Sequence, residues 1–204
     1  MSDSNKIIIP KRFTGLHAHC GTGSPYDGIG YPNQHIDFVL SNDMNSWALT
    51  DHGNGNGLAH AHAYAKKLKK KGVGYRQIYG VEFYFVPSLS NWRVQYENHR
   101  EEVRLARSEK KLKEVTDINS EDEATGGLVI ENEEETKSDY DHQKNDWKRR
   151  YHLVVLAKNK KGLQNLFMLV KRSYTEGFYR FPRIDFDMLN KHSEGLIVST
   201  AWVG

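Results

Sequence analysis

Residues 47–58 read WALTDHGNGNGL, and this stretch decides the fold class. Trp47-Ala48-Leu49-Thr50 is an apolar run of strand length. Asp51-His52 ends it, and the alternating Gly and Asn residues through Gly57 have the composition of a loop. Leu58 then opens an Ala-rich segment to Lys71, stopped by Gly72, which predicts a helix with a glycine at its C-terminal end. Upstream, Pro32 and Asn33 open another predicted helix through Met44, with Ile36, Phe38, Val39 and Leu40 as its apolar contacts. Further upstream, residues 6–16, including Ile7-Ile8-Ile9, predict a short buried strand ending at His17-Ala18-His19. Downstream, residues 76–86 predict a strand carrying Gly80-Val81-Glu82, residues 151–157 another, residues 161–174 a helix and residues 195–200 a last strand. This strand, helix, strand, helix order, with polar groups at strand ends, is that of an α/β layer or barrel in which parallel strands are the expectation. No internal repeat is visible.

With 204 residues, of which 38% are hydrophobic, the chain has enough apolar material for one core, so a single domain over 1–204 is expected. No run of about 18 apolar residues occurs and the N-terminus lacks the zones of a secretory signal, so a cytoplasmic protein with no membrane partner is expected. The single cysteine, Cys20, fits a reducing compartment. Net charge is +3, but it is unevenly spread: residues 97–146 hold sixteen of the 26 acidic residues and eight of the 29 Lys and Arg. The remainder is strongly basic, which suits a phosphate-rich partner such as DNA and equally suits an ordinary solvated surface. Residues 97–146 have no sustained apolar period and predict a mobile insertion. Within it, residues 100–115 suit a charged helix and residues 119–141 a disordered acidic loop.

Residues two apart on a strand face the same way, so His17 and His19 can point into one site. That spacing alone also fits a local hydrogen-bonding pair. Further histidines and carboxylates recur at the same level, just past the predicted strands: His52, Glu82 and His152. Asp27, after the turn-like Gly21-Thr22-Gly23-Ser24-Pro25, can fold back beside the first pair. Six such groups suffice for two or three cations, and their mixed nitrogen and oxygen donors suit phosphoester hydrolysis better than structural zinc. His35, His60 and His62 lie on predicted helices where exposed histidine is ordinary. The lysines of residues 66–71 read first as a solvated helix end.

The runs LHAHC, SPYDG, ALTDHGN, YGVEFYF, HLVVLAKNKKGLQNL and GFYRFPRIDFDML resemble, in order, the PHP motifs of bacterial and phage DNA polymerase III alpha subunits. PHP denotes the polymerase and histidinol phosphatase family, and the resemblance covers most of the chain outside the insertion. It implies an α/β fold, a distorted seven-stranded (β/α)7 PHP barrel that this chain leaves incomplete. It implies up to three divalent metal ions (Zn, Mn or Mg) held by His17, His19, Asp27, His52, Glu82 and His152. It further implies phosphoesterase or 3'-5' exonuclease chemistry, with DNA and the rest of a polymerase subunit as partners, the latter in the same or a separate chain. Arg183, in a run similar to a family loop near the site, can hold a phosphate with its planar fork or pair with Asp185. Phe178 and Tyr179 can stack on a base or belong to the core. Two departures from the pattern stand out. Trp202 occupies the position where the family commonly has Cys, and indole nitrogen only donates. No Asp-x-His motif follows before Gly204. A catalytically inactive module supporting a polymerase core is therefore the rival expectation, and a free-standing small-molecule phosphatase a third.

Overall fold

A computed structural model of the chain describes residues 13–118 and 146–201. Its elements run α1 (Pro32–Ser41), β1 (Ser46–Leu49), α2 (Asn56–Lys70), β2 (Arg76–Phe85), α3 (Leu89–Ile118), a 3-10 turn (Asp146–Lys148), β3 (Tyr151–Ala157), α4 (Lys160–Thr175), β4 (Phe178–Tyr179), β5 (Phe181–Ile184), α5 (Phe186–Lys191) and β6 (Leu196–Thr200). Most of the predicted elements are present within a few residues of the expected limits. Residues 6–12 of the first predicted strand lie outside the described residues, but Gly15 pairs in parallel with Trp47 and so carries its end. The predicted helix of residues 100–115 lies within α3, whereas the predicted disordered loop of residues 119–141 lies outside the described residues, as does Trp202. Strands β4 and β5, where the sequence predicted no strand, fold back on one another through Arg180, whose φ of 57° makes the tight reversal.

The chain divides into two compact units, one comprising Met1–Leu89 and Arg150–Gly204, the other Ser90–Arg149. The first holds the sheet, ordered β4-β5-β2-β3-β6, with β1 also paired to β2. Among the described residues this sheet is open, its path ending at β4 and β6. It is also mixed, against the expectation of parallel strands. β1 and β5 run parallel to β2, while β3 is antiparallel to both β2 and β6. The reason lies in the connections. A parallel return needs a crossover element packed on the sheet. Here the chain after β2 instead enters the second unit and comes back where it left, Tyr151 pairing with Phe85, so β2 and β3 form a hairpin with a very long connection.

Alternation along β2 sorts its side chains. Val81, Phe83 and Phe85 are buried on one face, while Gly80, Glu82 and Tyr84 share the other. α1 and α2 cover β1 through a cluster of Cys20, Ile36, Val39, Trp47, Leu49, Leu58, Ala61 and Leu68. Each fully buried aliphatic or aromatic side chain there contributes about 1.5–3 kcal/mol through area removed from water. A smaller cluster of Ala48, Val154 and Leu156 lies between β1 and β3. In the second unit, α3 and the 3-10 turn meet through aromatic rings: Trp92 stacks on Tyr96 and donates its indole N–H to the Trp147 carbonyl at 2.6 Å.

Candidate metal centre

Glu82 is the organising residue. It sits in the middle of β2, is 3% exposed, and pairs across the strand edge with His52, whose segment continues the line of β1. Its Oε1 lies 2.5 Å from Nδ1 of His152, a diagonal cross-strand neighbour on β3. Its Oε2 faces Nε2 of His19 at 3.0 Å, Nε2 of His17 at 3.3 Å and Nδ1 of His52 at 3.5 Å. His52 turns its Nε2 to Asp27 Oδ2 at 2.6 Å. All six residues singled out in the sequence as candidate ligands are therefore brought together. They form three overlapping groups able to hold a cation: His17, His19 and Glu82; His19, Asp27 and His52; His52, Glu82 and His152. Within each group the ligand atoms lie within 4.8 Å of one another. Arg183 does not join them. It is buried, with its guanidinium donating to the Tyr179 and Phe181 carbonyls, and Asp185 caps α5 through the Met188 N–H. Phe178 is not core but 56% exposed.

Local chemistry explains why these side chains converge. The segment bearing His17 and His19 runs beside β1, with Ala48 N–H donating to the Gly15 carbonyl and Thr50 N–H to that of Ala18. Asp27 is delivered by two consecutive tight turns, in which Ser24 N–H bonds to Cys20 O and Gly28 N–H to Ser24 O. The anchor of this loop is Asp51, 1% exposed, whose carboxylate accepts from Cys20 N–H (2.8 Å), the Cys20 thiol (3.2 Å) and the Ser24 hydroxyl (3.2 Å). The Ser24 hydroxyl in turn accepts from His52 N–H at 3.1 Å. Immediately after His52 the chain bends through Gly53, at φ 63°, where a Cβ would stand 2.7 Å from Pro182 Cγ. Only glycine serves there.

Thr50 orients His17. Its hydroxyl is 3.1 Å from the Ala18 carbonyl, 3.0 Å from Ala18 N–H and 2.9 Å from His17 Nδ1. The hydroxyl holds His17 by Nδ1, which leaves Nε2 facing Glu82 Oε2. Thr50, Tyr84 and Arg150 were missed in the sequence reading. Each stands two residues from an identified ligand, at 52, 82 and 152, so strand alternation was the available signal. Tyr84 stacks on His52 with ring centres 5.7 Å apart and meets His152 edge-on at 5.0 Å.

The electrostatics are those of a site built for positive charge. Burial alone would raise the Glu82 carboxyl, but the surrounding histidines, His152 and His19 foremost, hold it well below the usual carboxylate range. Burial lowers His17, with Glu82 opposing that shift. Burial also acts to lower His19, but Glu82 outweighs it and raises the imidazole above its ordinary value. Three buried polar atoms in this cluster have no hydrogen bond: Glu82 Oε2, His19 Nδ1 and His52 Nδ1. An unsatisfied buried polar atom costs about 1–3 kcal/mol. Imidazole nitrogens and carboxylate oxygens gathered within 4.8 Å of one another are the donor set that a divalent cation takes up in exchange for their protons, so the residues fit metal binding. Among the described residues, no helix is long and apolar enough to cross a membrane.

Comparison with known proteins adds an independent line. The PHP domain model matches residues 15–204. The chain is 33% identical over 193 residues to the DNA polymerase III subunit alpha of Borreliella burgdorferi, covering 95% of this chain and 12% of that relative. Shorter matches reach 50% identity over 54 residues with the same subunit of Helicobacter pylori and 52% over 54 residues with that of Aquifex aeolicus, each covering 26% of this chain and 4% and 5% of the relatives. The chain thus spans a small fraction of the length of the relatives it matches.

Proposed function

Because this chain belongs to the PHP domain family, we propose that its histidine and carboxylate cluster holds divalent metal ions and hydrolyses phosphodiester bonds in DNA, as part of a replicative polymerase of the DNA polymerase III alpha kind. The single observation that carries this reading is Glu82: a buried carboxylate ringed by four imidazoles, with one oxygen left without a hydrogen bond. His17, His19, Asp27, His52, Glu82 and His152 are the ligands. Bound Zn, Mn or Mg ions would offset charge on a phosphate and supply a nucleophile from water at neutral pH. The chain's own residues prepare for that. Glu82 lies within reach of two of the three ligand groups, Thr50 holds His17 by Nδ1 so that Nε2 faces the cluster, and the Asp51 anchor holds the loop that brings Asp27 to His52. We assign no general base.

The same reading extends to architecture and context. Residues 1–204 act as one PHP domain belonging to a (β/α)7 barrel, with residues 97–146 inserted in it, and the remainder of a polymerase alpha subunit is its partner in the cytoplasm. A structural module without catalysis is the second reading, favoured by Trp202 where the family commonly has Cys. Metal analysis of the purified chain, followed by Mn²⁺-dependent cleavage of single-stranded DNA and of p-nitrophenyl phosphate, separates the two. The hydrolytic reading expects bound metal and DNA cleavage that His17→Ala abolishes. Bound metal without cleavage of either substrate supports the structural module. Absence of both removes the metal assignment as well.

A further inference from the structure

Beside the cluster stands a cation that the metal reading does not use. Arg150 is exposed, and its guanidinium carbon lies 4.2 Å from the centre of the Phe181 ring and 5.6 Å from that of Tyr84. These two rings have centres 4.8 Å apart and are tilted by 50°, so the guanidinium rests against both. Tyr84 also contacts His52 and His152, which places one aromatic ring between Arg150 and two candidate metal ligands. A cation–π contact uses the charge of the guanidinium and does not consume its N–H donors. Among the described residues Arg150 has no ion pair to occupy those donors. Arg183 adds a second positive charge nearby, close enough that Arg150 contributes, after burial, to pushing it down to about 10.

An arginine held against aromatic rings, with no ion pair taking up its donors, beside a cluster proposed to cleave phosphodiesters has the chemistry of a phosphate clamp. We propose that Arg150 contacts a neighbouring phosphate of the substrate strand, so that the site takes a polynucleotide carrying several phosphates rather than a phosphomonoester. The inference rests on the phosphodiester reading above. It gives the metal cluster a direction along the strand: one phosphate at the ligands, the next across the Tyr84 ring at Arg150.

The test is fluorescence anisotropy of labelled single-stranded oligothymidylate with the full chain, measured in EDTA and in Mn²⁺ across a salt series, for the parent, Arg150→Ala and Arg150→Lys. Loss of a charge-assisted contact predicts about tenfold weaker binding for the Ala variant. Its salt dependence becomes shallower by about 0.7 in log–log slope, one phosphate contact on a single strand. The Lys variant keeps the slope but loses part of the affinity, because an ammonium cannot reproduce the planar fork. Parent-like affinity and slope in Arg150→Ala would overturn the proposal, as would failure of the parent to bind the oligonucleotide at low salt. Manganese content is measured on the same preparations. A parent that takes up no manganese sinks the metal reading, while the anisotropy in EDTA still decides the role of Arg150.

Discussion

Asp51 and Glu82 are both carboxylates buried to within 3% of full enclosure, and they lie in adjoining parts of the same unit, yet their surroundings differ in kind. Asp51 is enclosed by donors: a backbone N–H, a thiol and a hydroxyl, each directed at one of its oxygens. Glu82 is enclosed by imidazoles, and one of its oxygens is left without a hydrogen bond. Burial alone therefore does not mark a functional acid. What separates the two is whether the partners are dedicated proton donors or imidazoles that can share a metal ion with the carboxylate. A satisfied carboxylate fixes structure, while one grouped with several imidazoles suits a cation.

The largest expected effect breaks this contrast on the Asp51 side. Asp51→Ala strands the Cys20 N–H and the Ser24 hydroxyl in the interior and opens a void beside Gly23 and Gly57, whose close approach leaves no side chain to fill it. A loss of about 3 kcal/mol in urea unfolding free energy is expected. Glu82→Gln should do the converse. It weakens Mn²⁺ affinity, read by isothermal titration, by at least about a hundredfold, while lowering unfolding free energy in EDTA by less than Asp51→Ala does. A Glu82 variant that unfolds yet, where folded, binds metal normally would erase the distinction.

Thr50→Val sharpens the contrast from within the site. It leaves His17 free to rotate, so Mn²⁺ affinity should fall about tenfold, the effect of losing an outer-shell partner. A variant with unchanged affinity would show that His17 needs no orientation. The smallest effect is on pH dependence without metal. His19 is raised above its ordinary 6.5, so its pairing with Glu82 stabilises the fold below that pH and is lost as pH rises through the shifted value. His17 is lowered, so it costs stability on the other side of 6.5, as pH falls from there through its own lower value. Glu82 is depressed from 4.5, so its contribution is present above that pH and fades only in stronger acid. A shallow stability profile between pH 4.5 and 8 in EDTA, altered by Glu82→Gln, is the expectation from chemical denaturation at several pH values.

Much of the site was legible because strand-end positions are set by local patterning. Histidine or acid residues at 17, 19, 52, 82 and 152 each follow or lie within an apolar run, and such runs fix where a side chain emerges. Asp27 came from turn composition, and two hydrogen-bonded turns account for its position. The antiparallel placement of β3 was not legible, because strand direction depends on where the connection returns, and a long charged connection carries no signal of that. The β4–β5 hairpin was not legible either: a one-residue reversal at Arg180 requires a positive φ that composition does not announce. The roles of Thr50, Asp51, Tyr84 and Arg150 depend on contacts between segments far apart in sequence, which only the folded arrangement brings together.

The central claim is most directly tested by diffraction from crystals of this chain grown with Mn²⁺, using anomalous scattering to locate the ions. Two or three peaks are expected among His17, His19, Asp27, His52, Glu82 and His152, with one ion at Glu82 Oε2 and nitrogen ligands at about 2.0–2.3 Å. An ordered cluster with no anomalous peak at saturating Mn²⁺, or ions bound only on other surfaces, would contradict it.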